Sequence, residues 1–474
     1  MKGLLFLSMF LLSVTVNESV IGLLNSLSDS RFVNNAKAGR VTLEQFGAKG
    51  DGVTDDTQAI TKALNSLEPV IYASKIKAFY KVSNLVVVTG VTNKRLIATG
   101  AKILNSDLTK ATFLFQNSRN IQIEGGTFGY ATMPTANGGN SQHVFQFEGC
   151  QSVLVNKIHI INSPEMGIAI TNSNRVTVQN SIIEHTFRDG TYSHYSANVK
   201  YLNNTYNNIK DDAMSFHDYG IVSEKSKLIK FGYYQATNLV AQHNTVLNAY
   251  QGFGSIGANG VKVINNKFKN TVLAAIAVFN SKELYANGTS LARNAQILNN
   301  SIEGACSTVI INNQPFTNNG QASTGRAAIF VGSLGTNNQL NAGETKRLKN
   351  IVVSGNNIAN SRAHGFFGRD IDNLRFLNNS FSNCSGAVPA QSLSGDIIEL
   401  GNITNFTADN NAVIDTRPKK LHQHGYALNN VAGQMGNWNV KGVVAGEKLL
   451  TATQSLRSLP KPKQRPITKP SAKR

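Results

Sequence analysis

Val199-Lys200-Tyr201-Leu202-Asn203-Asn204-Thr205-Tyr206 is the stretch on which the fold turns. Apolar residues alternate, give way to an Asn pair, and resume. The same form returns in Val261–Phe268 (VKVINNKF), Ala295–Ile302 (AQILNNSI), Leu374–Phe381 (LRFLNNSF), Ile351–Ile358 and Phe406–Val413. Alternation with period two marks a strand with one buried face. The sixth position of the unit falls at Gly126, Ile158, Ser181, Asn204, Asn244, Asn266, Asn300, Asn356, Asn379 and Asn411, with shortest steps of 22 and 23 residues. A second short strand follows about eight residues later, as at Gly167–Ile170, Asp212–His217, Gly252–Ile256 and Ala274–Val278. Short strands in such units describe a parallel β-solenoid, whose equivalent residues stack ~4.8 Å apart. Asn suits its corners because it tolerates a left-handed backbone and can bond the Asn of the next coil. The rival leucine-rich repeat would need a recurrent LxxLxL, which the chain lacks.

Arg188 to Tyr219 reads RDGTYSHYSANVKYLNNTYNNIKDDAMSFHDY and repeats within itself. At a 23-residue spacing Asp189 aligns with Asp212, Arg188 with Asp211, Tyr192 with Ser215 and His194 with His217. Stacked coils would gather these side chains into one patch. Ile168, Ile170, Met214 and Phe216 should point inward, and Tyr192, His194, Ser215 and His217 outward. Asp189 and Asp212 should stand at the strand entrance. Ala169 and Thr171 before the patch, and Gly252, Ser255 and Gly257 after it, would leave a groove floor. Ser223–Thr237 and Asn313–Lys349 should leave the solenoid as loops and build walls.

With 41% hydrophobic and 15% charged residues the chain is globular in composition. Its net charge of +19 favours an anionic partner such as acidic polysaccharide. Nucleic acid is disfavoured, because the basic tail lacks interleaved aromatics. Cys150, Cys306 and Cys384 have no metal-ligand spacing and read as buried apolar residues. Leu4 to Val16 has the length of a signal-peptide core and is short for a membrane span. The expected organisation is a signal peptide over 1–28, a linker over 29–40, the solenoid over 41–430, and a segment over 431–474 ending in a Pro/Lys-rich tail. The protein should be secreted, extracellular or periplasmic, without stable membrane insertion.

Phe46-Gly47-Ala48-Lys49-Gly50-Asp51-Gly52-Val53-Thr54-Asp55-Asp56-Thr57-Gln58-Ala59-Ile60 combines a Gly-rich turn with a helix start that Asp55 or Asp56 would cap. Ala59, Ile60, Ala63, Leu64 and Leu67 would form that helix's apolar face. This segment, followed by an Asn-rich solenoid, resembles the pectate-lyase-like right-handed β-helix superfamily over residues 41 to 415. Within it the chain is similar to the rhamnogalacturonase and polygalacturonase-related branch, which includes epimerases and tailspike depolymerases. The resemblance implies a right-handed parallel β-helix of roughly 10–12 coils with an N-terminal capping helix. Carbohydrate would lie along one sheet. Asp211-Asp212 resembles the branch's catalytic Asp pair, whereas its Asn-Thr-Asp, Gly-His-Gly and Arg-Ile-Lys motifs have no match in place.

Two chemistries follow from the patch. Hydrolysis of a glycosidic bond needs two carboxyl groups, for which Asp189, Asp211 and Asp212 are candidates, with His194 or His217 tuning the proton. β-Elimination or C5-epimerisation of a uronate needs a cation (Lys210 or Arg188), a base (His194 or His217) and an acid (Tyr192 or Tyr219). Ser215 completes the substrate-binding set. No cofactor is expected, although a lyase would leave room for Ca²⁺. A third possibility is a non-catalytic carbohydrate-binding adhesin or tailspike-like fibre, since solenoids supply long rigid surfaces without chemistry.

Overall fold

The computed structural model describes residues 40–74, 78–139, 141–221, 234–285, 287–311, 314–316, 327–332, 347–386, 396–444, 446–451 and 455–459. The signal peptide, all but the last residue of the linker, and the tail from 460 lie outside the described residues, as does much of the two expected loops.

The described residues from Thr42 to Ser458 wind as a right-handed parallel β-helix. Its strands form three ladders in which each pairs with its equivalents one coil before and one after. Arg119–Glu124 pairs with Gln151–Asn156, and that with Asn174–Gln179, so that Ile121, Val153 and Val176 stack. Long strands such as Thr205–His217 and His364–Leu377 turn a corner and pair in two ladders, which joins the ladders into one continuous sheet. Inside, like residues lie on like. Phe113 stacks on Phe145 with centroids 5.0 Å apart, and Phe115 on Phe147 at 5.3 Å. Cys150, Cys306 and Cys384 are buried and form no disulfide.

The corner Asn residues form an unbroken buried spine. Asn266 Oδ1 accepts the main-chain N–H of Asn244, and the Asn266 amide donates to Ala241 O and to Asn300 Oδ1. The same bonds run through Asn204, Asn244, Asn266, Asn300, Asn356, Asn379 and Asn411. Left-handed backbone falls on the residue before each spine Asn: Asn203, His243, Asn265, Asn299, Gly355, Asn378 and Asn410. The Asn-Asn pair therefore divides two jobs that the sequence reading gave to one residue. The first turns the chain, and the second bonds along the axis.

Three expectations need correction. The helix spans Thr57–Asn65 and lies against the first rung, burying Ile60, Ala63 and Leu64, but it ends before Leu67, which is fully exposed. Asp56 stands at its cap position, yet its carboxylate accepts the amides of Lys49 and Gly50, and Asp55 takes the Thr57 amide. The segment 313–349 is not all loop. Ala327–Val331 is a full rung, paired with Ile276–Phe279 and with the start of His364–Leu377. Its continuous apolar run hid it, because both of its faces are buried. Parallel pairing also runs past residue 430, where His424–Met435 receives Gly446–Thr451 and Ser455–Ser458.

Candidate functional site

The patch forms on one ladder, and register places it. Ile168–Thr171, Thr191–His194, the end of Thr205–His217 and the end of Thr245–Ile256 are successive rungs. Thr191, Ser193, Met214 and Phe216 point into the core. Tyr192 pairs with Ser215 and His194 with His217 on the outer face, as the 23-residue repeat requires. Ala169 and Thr171 precede them in the same two columns. The residues that follow are Gly254 and Ile256, instead of Gly252, Ser255 and Gly257. Ser255 pairs with Phe216 and is buried inside. A register shift between Ile209 and Asp212, in the pairing with the next coil, spoils simple counting there.

Asp189 and Asp212 stand at the strand entrance. Asp189 Oδ2 accepts the Ser215 hydroxyl at 2.5 Å. Asp212 Oδ1 accepts the Gln251 amide at 2.8 Å, and its Oδ2 lies 3.8 Å from His217 Nε2. His217 Nδ1 reaches the Tyr219 hydroxyl at 3.0 Å, which meets the Tyr192 hydroxyl at 3.3 Å. A polar chain thus runs Gln251–Asp212–His217–Tyr219–Tyr192. His194 stacks on Tyr195 with centroids 3.8 Å apart. Arg188 lies between two carboxylates, donating from Nε to Asp211 Oδ2 at 2.8 Å, with Nη1 4.0 Å from Glu165 Oε2. Lys210 places its ammonium 3.5 Å from the centre of the Phe187 ring.

Burial sets the ionisation. It pushes the Asp189 carboxyl well above the usual range, and the neighbouring Asp211 charge pushes the same way. It also raises Glu165. His194 is driven down to about 3 by burial, and His217 well below its ordinary value by burial and then by the His194 and Arg188 charges. Burial opposes charge on Arg188, but Asp211, Asp189 and Glu165 outweigh it. Tyr192 and Tyr219 are raised by burial, and Lys210 is lowered by it. Burial therefore favours the protonated form of Asp189, neutral imidazoles and neutral phenols beside the Arg188–Asp211 ion pair.

All ten candidate residues share this neighbourhood, but their access differs. Asp189, Asp212, Ser215, His217 and Tyr219 are buried, while Arg188, Lys210, Asp211, Tyr192 and His194 are half-buried. The rungs after His217 are not the open floor expected. Ile256, Ala277, Phe279 and Phe330 form an apolar cluster with Tyr195 and Tyr219, packed against Ile221, Tyr285 and Phe367. Asp218 fastens the covering segments by accepting the amides of Gly220 and Ala236 and the hydroxyl of Ser290. Sequence reasoning missed Glu165, His143 and Gln251. Glu165 lies 23 residues before Arg188 and His143 lies 46 before Asp189, so the period itself could have found them. Gln251 hides behind the insertion that makes its step from Asp212 irregular. Among the described residues no group of His, Cys, Asp and Glu is placed to hold a metal ion, and no helix is long and apolar enough to cross a membrane.

Residues 84–268 match the family described as right handed beta helix region. Among solved structures, the chain is similar to the N-terminal fragment of gene product 12 of bacteriophage phi29, at 15% identity and a TM-score of 0.60, covering 90% of this chain and 74% of that one. It is similar to PfbA, a surface adhesin of Streptococcus pneumoniae, at 15% identity and 0.53, covering 88% and 94%. It is also similar to tailspike protein 3 of bacteriophage CBA120, at 11% identity and 0.50, covering 93% and 68%. Identities this low speak to the fold alone. No curated protein matches the sequence.

Proposed function

We propose that this right-handed β-helix acts on polysaccharide outside the cytoplasm as a glycoside hydrolase, with an acidic polymer as substrate. One observation carries the reading: a buried carboxyl, Asp189, whose burial favours its protonated form, lies near a half-exposed carboxylate in an ion pair with Arg188, Asp211. Glycoside hydrolysis divides its work between such unlike carboxyl groups. Asp189 would supply the proton to the leaving oxygen. Asp211, half-exposed and oriented by Arg188, would serve as base or nucleophile, and Asp212, held by Gln251, would fix the Asp189 end of the site. Tyr192, Lys210 and Arg188 would contact the sugar.

The lyase or epimerase reading is the weaker, because an imidazole driven to about 3 is a poor proton acceptor near neutral pH. A non-catalytic adhesin or fibre is the second reading. Its support is the burial of much of the cluster, together with the likeness to PfbA over nearly the whole of both chains.

The test follows reducing ends and the ultraviolet absorbance of unsaturated uronates together, across acidic and neutral polysaccharides. Reducing ends without absorbance, abolished in Asp211→Asn and Asp189→Asn, support hydrolysis. Absorbance rising with the reducing ends supports elimination. Binding without either product supports the adhesin.

A further inference from the structure

A second polar cluster occupies the same outer face farther along the axis. The core column Met214, Phe253, Ile276, Ile329, Phe366, Ile398 and Tyr426 fixes the register. Two residues before each lies the strand-entrance column: Asp212, Gln251, Ala274, Ala327, His364, Asp396 and His424. One residue after each lies the column of Ser215, which carries Phe367 and Glu399 on the later rungs. Arg369 falls in the column of His217. The columns that build the first cluster are thus used again, with Asp396 five rungs from Asp212, about 24 Å at ~4.8 Å per rung.

The geometry of this cluster is specific. His364 Nδ1 lies 2.6 Å from the main-chain oxygen of Asp396, so Nδ1 carries its proton and donates it. His364 Nε2 then faces Glu399 Oε2 at 3.6 Å, lone pair toward lone pair. The other oxygen, Glu399 Oε1, accepts from Arg369 Nη2 at 3.2 Å, and the Arg369 guanidinium lies 5.0 Å from the centre of the Phe367 ring. Asp396, fully buried, lies 3.6 Å from His424 Nδ1. The apolar cluster of Ile256, Phe279 and Phe330 separates the two polar sites. The second pairs carboxylates with a guanidinium and imidazoles, and that mixture of acceptors and donors matches sugar hydroxyls better than a sugar carboxylate.

We propose that His364, Glu399 and Arg369 form a second saccharide-binding site, which grips a hydroxyl-rich, uncharged sugar residue of the polymer held at the first. This rests on the polysaccharide reading above. A chain spanning both sites needs several sugar units, so the second site acts on long ligands and its loss shows in length dependence.

The experiment measures binding of a polysaccharide from the panel, and of its trisaccharide, by titration calorimetry. Wild type is compared with Glu399→Gln and with Arg369→Met, which keeps an apolar stem over Phe367. The expected result is that the ratio of polymer to trisaccharide affinity falls about tenfold in each variant, the loss of roughly one charge-assisted hydrogen bond. A ratio equal to that of wild type, in variants whose circular dichroism matches it, overturns the second site. Wild type that binds polymer without cleaving it overturns hydrolysis alone, and the ratio still judges the second site. Wild type that binds no polymer overturns both.

Discussion

Gly254→Ala separates the chemistry of the first cluster from its stability. Gly254 lies beneath Asp212 in the column of Ser215. A Cβ there would stand 2.0 Å from Asp212 Oδ2, 2.8 Å from Asp212 Cγ and 3.0 Å from Gln251 Nε2. An ordinary contact needs about 3.4 Å, so the carboxylate must move by more than ~1 Å. The obstructing atoms end a side chain, and Gly254 is not among the glycines with left-handed backbone, so the fold can absorb the methyl. A misplacement of about 1 Å in a catalytic constellation costs on the order of 100-fold in rate. The expectation is a fall of about that size in kcat/KM on whichever polymer wild type hydrolyses, with a melting temperature within a few degrees of wild type. Reducing-end kinetics and thermal unfolding by circular dichroism measure the two. A kcat/KM within threefold of wild type would refute the reasoning, since the position of Asp212 would then not matter to the reaction.

Other outcomes test the electrostatics and the frame. A carboxyl raised in the fold keeps a proton that the unfolded chain releases above pH ~4, so Asp189 costs stability as pH rises from there toward its folded value. Asp189→Asn should therefore abolish hydrolysis and flatten the decline of melting temperature as pH rises above ~4; a decline equal to that of wild type would contradict a raised Asp189. His194 at about 3 and His143 at about 4 are depressed by burial, so the unfolded chain takes up their protons first. Stability should fall as pH drops below ~6.5, by up to ~1.4 kcal/mol per pH unit per group, and His194→Gln should reduce that slope in acid-titrated melts. Asn300→Ala should cost roughly 2–4 kcal/mol in denaturant unfolding, because it strips the partner from the buried Asn266 N–H and from Val263 O. A cost under about 1 kcal/mol would mean that the spine is replaceable by water.

The fold was legible because its two signals are local. Alternating strands show in eight-residue windows such as VKVINNKF, and the spine Asn recurs at the same point of each. Legibility failed where the period failed. Ala327–Val331 lacks alternation because the outer face above it is covered, with Phe330 packed in one cluster with Tyr219, Ile221 and Tyr285 from distant sequence. The candidate site was found through the 23-residue match of Asp189 with Asp212 and His194 with His217. Its electrostatics were not, since nothing in Asp189 or His194 as letters reveals how far the fold withdraws them from water. Glu165 was within reach of the same period, two steps before Asp211 in the column of Arg188, but no imidazole or carboxyl partner beside it in sequence announced it.

The spine has a consequence for how such a chain can change. Asn266 meets Asn300 after 34 residues and Asn300 meets Asn356 after 56, yet the side-chain bonds are 3.0 and 2.9 Å. The axial contacts do not register how much polypeptide lies between them. Sequence can therefore be spliced into or cut from the excursions between rungs without retuning the register of the coils on either side. Loops, and whatever they recognise, are free to diversify quickly over a scaffold that holds still.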